Sequence, residues 1–300
     1  MTCAGRKTAS GIPLSTARFS FDNTPAGDKT ARVKTSFLPV SIALLILAST
    51  RVFAEPAPAE LILSEDFEST PVGEIPKGFT KSGALGVAED AAHSGRKSLR
   101  IEPAIKGARM ITLTGEKLAA IGGTHWGRLY YKVKLPTPLP VVPEGKKTAG
   151  IHTTLVSGRA TSPLANDPID VRLMGTSTDM TGAFKYLFNV QPKLRPEFGV
   201  GAKTRSQYTE EWTLAEWYVD HDTQTYQFFI NGEEITDIAL HKGAGQFAGA
   251  EIPAVFESLS FGWNNYQAAS GDGFTVWIDD LALGKKRIGG APATPAAASR

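Results

Sequence analysis

An all-β fold, a sandwich or barrel of short antiparallel strands, is what this sequence predicts, and three observations predict it. About twelve segments of alternating apolar and polar residues follow one another between Gly, Pro, Asn and Asp, the pattern of half-buried strands joined by turns. Helical periodicity shows only at Glu116–Ile121. Asn231-Gly232 separates YQFFI from EEITDI, and an Asn-Gly pair accepts the positive φ angles of a tight hairpin. With 300 residues, of which 42% are hydrophobic, the chain can bury a full-sized core.

In chain order, residues 1–54 read as a leader. The apolar run Ser36–Thr50 lies behind Arg32 and Lys34 and ends in Val52-Phe53-Ala54. Small residues at the last and third-last positions predict a signal peptide cut between Ala54 and Glu55. The apolar core, about a dozen residues, is shorter than the roughly 20 that span a bilayer. The expected product is a secreted protein, extracellular or periplasmic, with no membrane attachment after cleavage. Its only cysteine, Cys3, leaves with the leader, so no disulfide is expected. Cleavage leaves 25 Lys and Arg against 28 Asp and Glu, a net charge of about −3, which argues against a nucleic-acid partner. Residues 55–60 read as a Pro/Ala linker, 61–288 as one β domain expected to be monomeric, and 289–300 as a disordered low-complexity tail.

The expected strands are Leu61–Glu68, Ser98–Glu102, Arg109–Leu113, Trp126–Lys134, Gly150–Val156, Ile169–Met174, Phe184–Gln191, Trp217–His221, Thr225–Ile230, Glu234–Ile238, Phe256–Trp263 and Phe274–Leu283. Alternation sorts each into a core face and an outward face. Leu129, Tyr131 and Val133 oppose Arg128, Tyr130 and Lys132; Ile151 and Leu155 oppose His152 and Thr154. Ile169, Val171 and Leu173 oppose Asp170 and Arg172, while Phe184, Tyr186 and Phe188 oppose Lys185, Asn189 and Gln191. Side by side on one sheet, these outward residues form a surface suited to an anionic sugar polymer. Ordinary solvated outer faces would give the same pattern.

The inventory excludes several chemistries. A retaining glycosidase places two carboxylates about 5 Å apart, and no Glu-x-Asp-x-Glu strand supplies them. No G-x-S-x-G elbow marks a serine hydrolase, and the scattered histidines form no zinc motif. What remains is His, Tyr, Arg and amides, the set needed for proton abstraction beside a carboxylate. β-Elimination from a uronic acid requires a group that neutralises the carboxylate, a base for the C5 proton and an acid for the leaving oxygen. The expected catalytic residues are Arg128 as neutraliser, His152 or Tyr266 as base and Tyr266 as acid. Tyr130, Lys132, Arg172, Gln191, Asn264 and Gln267 are expected to bind the polysaccharide. A non-catalytic carbohydrate-binding protein is the alternative, and a structural or adhesive surface protein is a third class. Asp279 and Asp280 stand in an otherwise apolar strand, where buried carboxylates need hydrogen bonds, a counter-charge or a metal.

The motifs EDFES (Glu65–Ser69), AHSGRKSLRIE (Ala92–Glu102), WGRLYYKV (Trp126–Val133), GIHTTLVSG, EWYVD (Glu216–Asp220), FGWNNYQ and VWIDDLALG together resemble the Cip1-like secreted proteins, over roughly Leu61–Gly284. That resemblance implies a two-sheet jelly-roll β-sandwich of the concanavalin A-like type, related to glucuronan and alginate polysaccharide lyases. The sequence differs from the lyase pattern in carrying Gly150 two residues before His152, and Arg128, Tyr130 and Lys132 where the lyases have Arg-x-Glu-x-Arg. The resemblance also implies a structural calcium (Ca2+) ion held by Glu68, Ser94, a backbone carbonyl near Lys97 and Asp279 or Asp280, an all-oxygen set of the kind that ion takes.

Overall fold

The computed structural model describes residues 61–162, 164–241 and 251–290. The leader with its expected cleavage site, the linker and residues 291–300 of the expected tail lie outside the described residues.

Two antiparallel sheets form the fold. The first carries, in spatial order, β13 (Glu233–Glu234), β12 (Thr225–Ile230), β11 (Thr213–Asp220), β6 (His125–Val133), β15 (Val276–Gly284), β4 (Ser98–Ile101) and β3 (Leu85–Ala88), with β1 (Leu61–Glu65) also paired to β15. The second carries β10 (Phe198–Gly201), β9 (Phe184–Pro192), β8 (Pro168–Thr178), β7 (Ile151–Thr161), β14 (Ser258–Asn265), β5 (Gly107–Leu113) and β2 (Phe79–Ser82). β7 to β10 follow one another as a meander, while β6 with β15, β6 with β11, β7 with β14 and β5 with β14 pair strands far apart in sequence, as in a jelly-roll sandwich. The helix α1 (Glu116–Ile121) stands where the sequence places it.

Inward alternate residues build one core between the sheets. Leu129, Tyr131 and Val133 of β6 face Ile169, Val171 and Leu173 of β8 and Phe184, Tyr186 and Phe188 of β9. Tyrosine hydroxyls that cross the core meet partners there: Tyr131 and Tyr186 share a 2.6 Å bond, and Tyr226 donates to the Leu173 carbonyl at 2.6 Å. Such pairing removes the cost of burying a bare hydroxyl. The Asn231-Gly232 hairpin forms as expected, with φ of 50° and 87°.

Three strands lie outside the expected set: β2, β3 and β10, each of 4 residues. They are too short and too Gly- or Lys-rich to show alternation. The expected strand Glu234–Ile238 is corrected to the 2-residue β13 followed by a single 3₁₀ turn over Thr236–Ile238. The boundary of the expected tail also moves. Gly289 accepts a hydrogen bond from Arg128 at 3.1 Å and donates one to Glu216 at 3.0 Å.

Strict alternation fails at one level of the second sheet. Register shifts occur between Thr154 and Ser157 on β7, between Arg172 and Gly175 on β8, and between Phe261 and Asn264 on β14. At these bulges two consecutive residues turn inward, Leu155 with Val156 and Leu173 with Met174. Bulges bend a strand and re-aim its side chains, and they recur beside functional sites.

Candidate functional site

The outward face of the second sheet at the level of these bulges forms a shallow polar groove of about 340 Å³, lined by Thr154, Ser157, Arg172, Gln191, Asn264 and Tyr266 among others. It continues past Arg172 and Tyr266 to His152 and Gln267. Arg172 is the floor. Only 5% exposed, it donates from Nε to Thr154 Oγ1 at 2.6 Å, and its guanidinium lies 5.0 Å from the centre of the Tyr266 ring. Its two terminal nitrogens have no protein partner among the described residues. The side chain lies flat because residue 175 is glycine: a Cβ there would stand 2.2 Å from Arg172 Cδ.

Tyr266 and Gln267 reach the groove through the loop after β14. The Tyr266 amide donates to the His152 carbonyl at 3.0 Å and Gln267 Oε1 accepts the His152 amide at 2.7 Å, so this loop is clipped to the start of β7. The Tyr266 hydroxyl lies 3.2 Å from Thr154 Oγ1, which links it through Thr154 to Arg172. Partial burial and the nearby Arg172 cation hold the His152 imidazole below its ordinary value, against the opposing pull of Glu197 and Gln267. At neutral pH it is therefore a free base.

One further acid enters this groove. Glu197, in the turn between β9 and β10, accepts hydrogen bonds from Asn189 Nδ2 and, at 3.2 Å, from Gln191 Nε2. Asn189 pairs with Arg172 across β8 and β9. Sequence reasoning missed Glu197 because it lies in a Pro-containing turn with no periodicity. It used Asn189 only as an outward position.

Of the expected catalytic and binding residues, the fold brings together His152, Tyr266, Arg172, Gln191, Asn264 and Gln267. It separates Arg128, Tyr130 and Lys132 from them. These three lie on β6 in the first sheet, so the expectation that Arg128 neutralises a substrate carboxylate beside His152 is corrected. Arg128 instead donates to the Asp280 carbonyl at 3.3 Å and to Gly289. The Tyr130 ring stacks on His93 with centroids 3.5 Å apart. On the second sheet it is Arg172 that holds the position expected of Arg128.

The residues expected to hold calcium do meet, around the loop His93–Lys97. Asp280 has a φ of 47° and sits at a bulge in β15, so Asp279 and Asp280 reach the same loop rather than opposite faces of the sheet. Each oxygen already has a donor. Asp279 Oδ2 accepts the amides of His93 at 2.7 Å and Ser94 at 3.3 Å, and Asp280 takes the His93 ring at 2.6 Å and the Ser94 hydroxyl at 2.8 Å. Glu68 Oε1 accepts the amides of Arg96 and Lys97, both at 2.7 Å. The Lys97 ammonium binds the carbonyls of Glu68 at 3.0 Å and Thr70 at 3.1 Å. Burial and the neighbouring Asp280 raise Asp279 to about 7. Among the described residues no group of three acidic, His or Cys side chains is placed to hold a metal ion. The expected set does not fit a calcium ion in this arrangement, because donors already occupy both Asp carboxylates and Glu68 Oε1, and the Lys97 cation takes two carbonyls.

A larger cavity of about 430 Å³ opens at the end of the sandwich, with Tyr131, Tyr186 and Tyr208 inside and Glu210, Glu211 and Glu233 at its rim. Burial pushes all three tyrosines above their ordinary value, and among the described residues no cationic side chain lines it. It therefore lacks both the base and the neutralising group found in the groove.

No protein-family model matches the chain, and no curated protein matches it. Among solved structures, the cellulose induced protein Cip1 is similar over 76% of this chain and 100% of its own, with a TM-score of 0.48 and 16% identity. The binding domain of botulinum neurotoxin serotype D is similar over 76% of this chain, with a TM-score of 0.42 and 10% identity. A botulinum neurotoxin DC binding domain solved with SialylT is similar over 68%, with a TM-score of 0.39 and 10% identity. The chain spans about half the length of the toxin structures or less, 48% and 42%. The two-sheet β-sandwich that the sequence motifs imply is the fold observed.

Proposed function

We propose that this protein is exported after cleavage at Ala54, binds a uronic-acid-containing polysaccharide along the outer face of its second sheet, and cleaves it by β-elimination. The observation that carries this reading is the convergence of Arg172, His152 and Tyr266 in one groove, with the amides of Gln191, Asn264 and Gln267 around them.

Arg172 receives the uronate carboxylate on its free nitrogens, which lowers the acidity barrier at C5 by stabilising charge that develops there. His152, a free base, takes the C5 proton. As the C5–H bond breaks, its electron pair forms the C4–C5 double bond and expels the glycosidic oxygen from C4. Tyr266 gives its hydroxyl proton to that oxygen. Solvent then returns a proton to the phenolate and removes one from the imidazolium.

The alternative, a non-catalytic carbohydrate-binding groove, is favoured by one feature: the acid and the base have separate partners, the Tyr266 hydroxyl with Thr154 and the His152 side chain with Gln267. Incubation of the purified chain with glucuronan and alginate separates the two. The expected result is rising ultraviolet absorbance from the conjugated product, lost by about 10²-fold or more in His152→Ala and Tyr266→Phe. Retention on a polyuronate gel with no absorbance from any polymer would establish the binding reading instead.

A further inference from the structure

Glu197 is placed with more care than an exposed turn residue requires. Two residues before it, Arg195 Nη2 binds Asp167 at 3.0 Å, Glu251 at 2.7 Å and the Ser162 hydroxyl at 3.0 Å. Asp167 is 2% and Glu251 1% exposed, so the β9–β10 turn is staked to the body of the fold by a cation held between buried acids. Pro196 stiffens the step from that anchor to Glu197. The turn therefore holds a carboxylate against the amides of Asn189 and Gln191.

These amides lie beside the floor of the groove. Asn189 is 1% exposed, and among the described residues its Oδ1 has no partner, so Glu197 is there the one hydrogen-bond partner of its side chain. Arg172 is its cross-strand neighbour. Lys185 and His152 line the same end of the groove with Glu197. An arginine, two amide donors and a lysine make a site for a carboxylate, and the carboxylate against the amides belongs to the protein.

We propose that Glu197 sets the affinity and charge selectivity of this groove by acting as a resident anion, which an incoming uronate carboxylate displaces from Asn189 and Gln191. The proposal rests on the polyuronate reading of the groove. The unit negative charge beside Arg172 weakens binding of any acidic unit, and neutral sugars do not feel it.

Affinity electrophoresis in gels containing glucuronan, or the same polymer with its carboxyl groups reduced to alcohols, tests this with wild type, Glu197→Gln, Glu197→Ala and Arg172→Gln. Removing an exposed charge contributes up to about 1 kcal/mol, so Glu197→Gln should tighten binding to glucuronan by roughly fivefold. Glu197→Ala, which also frees the amides, should tighten it at least as much, and neither should change retention by the reduced polymer. Unchanged or weaker glucuronan binding in both Glu197 variants, with binding lost in Arg172→Gln, overturns the role of Glu197 and leaves the groove reading standing. An equal gain on the reduced polymer also overturns it, since the effect would then be steric. Absence of binding by wild type and by both Glu197 variants overturns this proposal together with the groove reading.

Discussion

The outer faces of the two sheets start from the same strand pattern and end in opposite conditions. On the second sheet, Arg172, His152 and Tyr266 line an open groove, and Arg172 has donors to spare. On the first sheet, other parts of the chain cover the outward charges. The loop His93–Lys97 takes both carboxylates of Asp279 and Asp280. The segment Arg287–Gly289 closes over Glu216, which is 1% exposed and receives Arg287 at 2.9 Å, and the same segment supplies a carbonyl to Arg128. Two buried arginines, 5% exposed at Arg172 and 8% at Arg128, thus have different tasks. One gives Nε and Nη1 to backbone carbonyls and ties strands to the C-terminal segment; the other gives only Nε to a side chain and keeps both terminal nitrogens at the floor of a groove. An arginine's partners, more than its burial, separate structure from function here.

Exchanging the test between those two arginines gives the largest expected effect. Arg172→Ala should weaken binding to a polyuronate by about 30-fold or more, the loss typical of truncating a charged group that pairs with a ligand. Arg128→Ala should leave that affinity unchanged and lower the melting temperature, because the buried Asp280 carbonyl and the part-buried Gly289 carbonyl lose their donor, at about 1–3 kcal/mol for the buried one. Titration of both variants against one polymer, with melting curves alongside, checks both halves. Loss of affinity in Arg128→Ala with retention in Arg172→Ala would reverse the comparison.

A second contrast lies in how the two sheets respond to acid. His125 on β6 is fully buried, donates from Nδ1 towards the Gly122 carbonyl at 3.3 Å and accepts the Trp217 indole on Nε2 at 3.1 Å. Burial lowers it from 6.5 to about 4. The unfolded chain therefore binds a proton that the folded chain refuses over that interval. The stabilisation is complete above pH 6.5 and is lost as pH falls towards 4, a change on the order of 3 kcal/mol. Asp279, raised to about 7, contributes with the opposite sign over the same window, so the check is the difference between wild type and His125→Gln: the variant should lose less stability, or gain more, than wild type as pH falls from 6.5 towards 4. His152 in the groove is also lowered from 6.5, so the turnover expected of it should persist somewhat below that pH before its acid limb begins.

The smallest expected effect concerns the loop against Glu68. With donors on every carboxylate and Lys97 on two carbonyls, a chelator should leave the melting temperature unchanged, and Lys97→Met should lower it by a few degrees, the scale of about 1 kcal/mol in a domain of this size. A fall in chelator restored by calcium would show that an ion displaces Lys97, by the mass action of a ligand bound to the native state alone.

Much of the fold was legible in the residues. Period-2 alternation placed Leu129, Val171 and Phe188 inward and His152, Arg172 and Gln191 outward, because in a pleated strand the choice of face is local. The Asn231-Gly232 turn was legible for the same reason. Short edge strands such as Phe198–Gly201 were not, since 4 residues with two glycines carry no period. The bulges on β7, β8 and β14 left only faint signs, Gly175 within an apolar run and consecutive apolar pairs at Leu155-Val156 and Leu173-Met174. Those signs mark where the groove lies.

The amino-acid sequence by itself determined that the chain makes strands, which side chains leave the core, and that the outward set is rich in His, Tyr, Arg and amides. These depend on neighbours one to three positions away. Only the tertiary structure decided which outward faces share a sheet, because strand order is fixed by pairings such as β6 with β15 that span well over a hundred residues. It put Arg128 and His152 on opposite sheets and Arg172 and Glu197 beside His152. It also decided which face the chain's own loops and C-terminal segment cover, since covering depends on where distant segments find unpaired donors and acceptors, and no single strand encodes that.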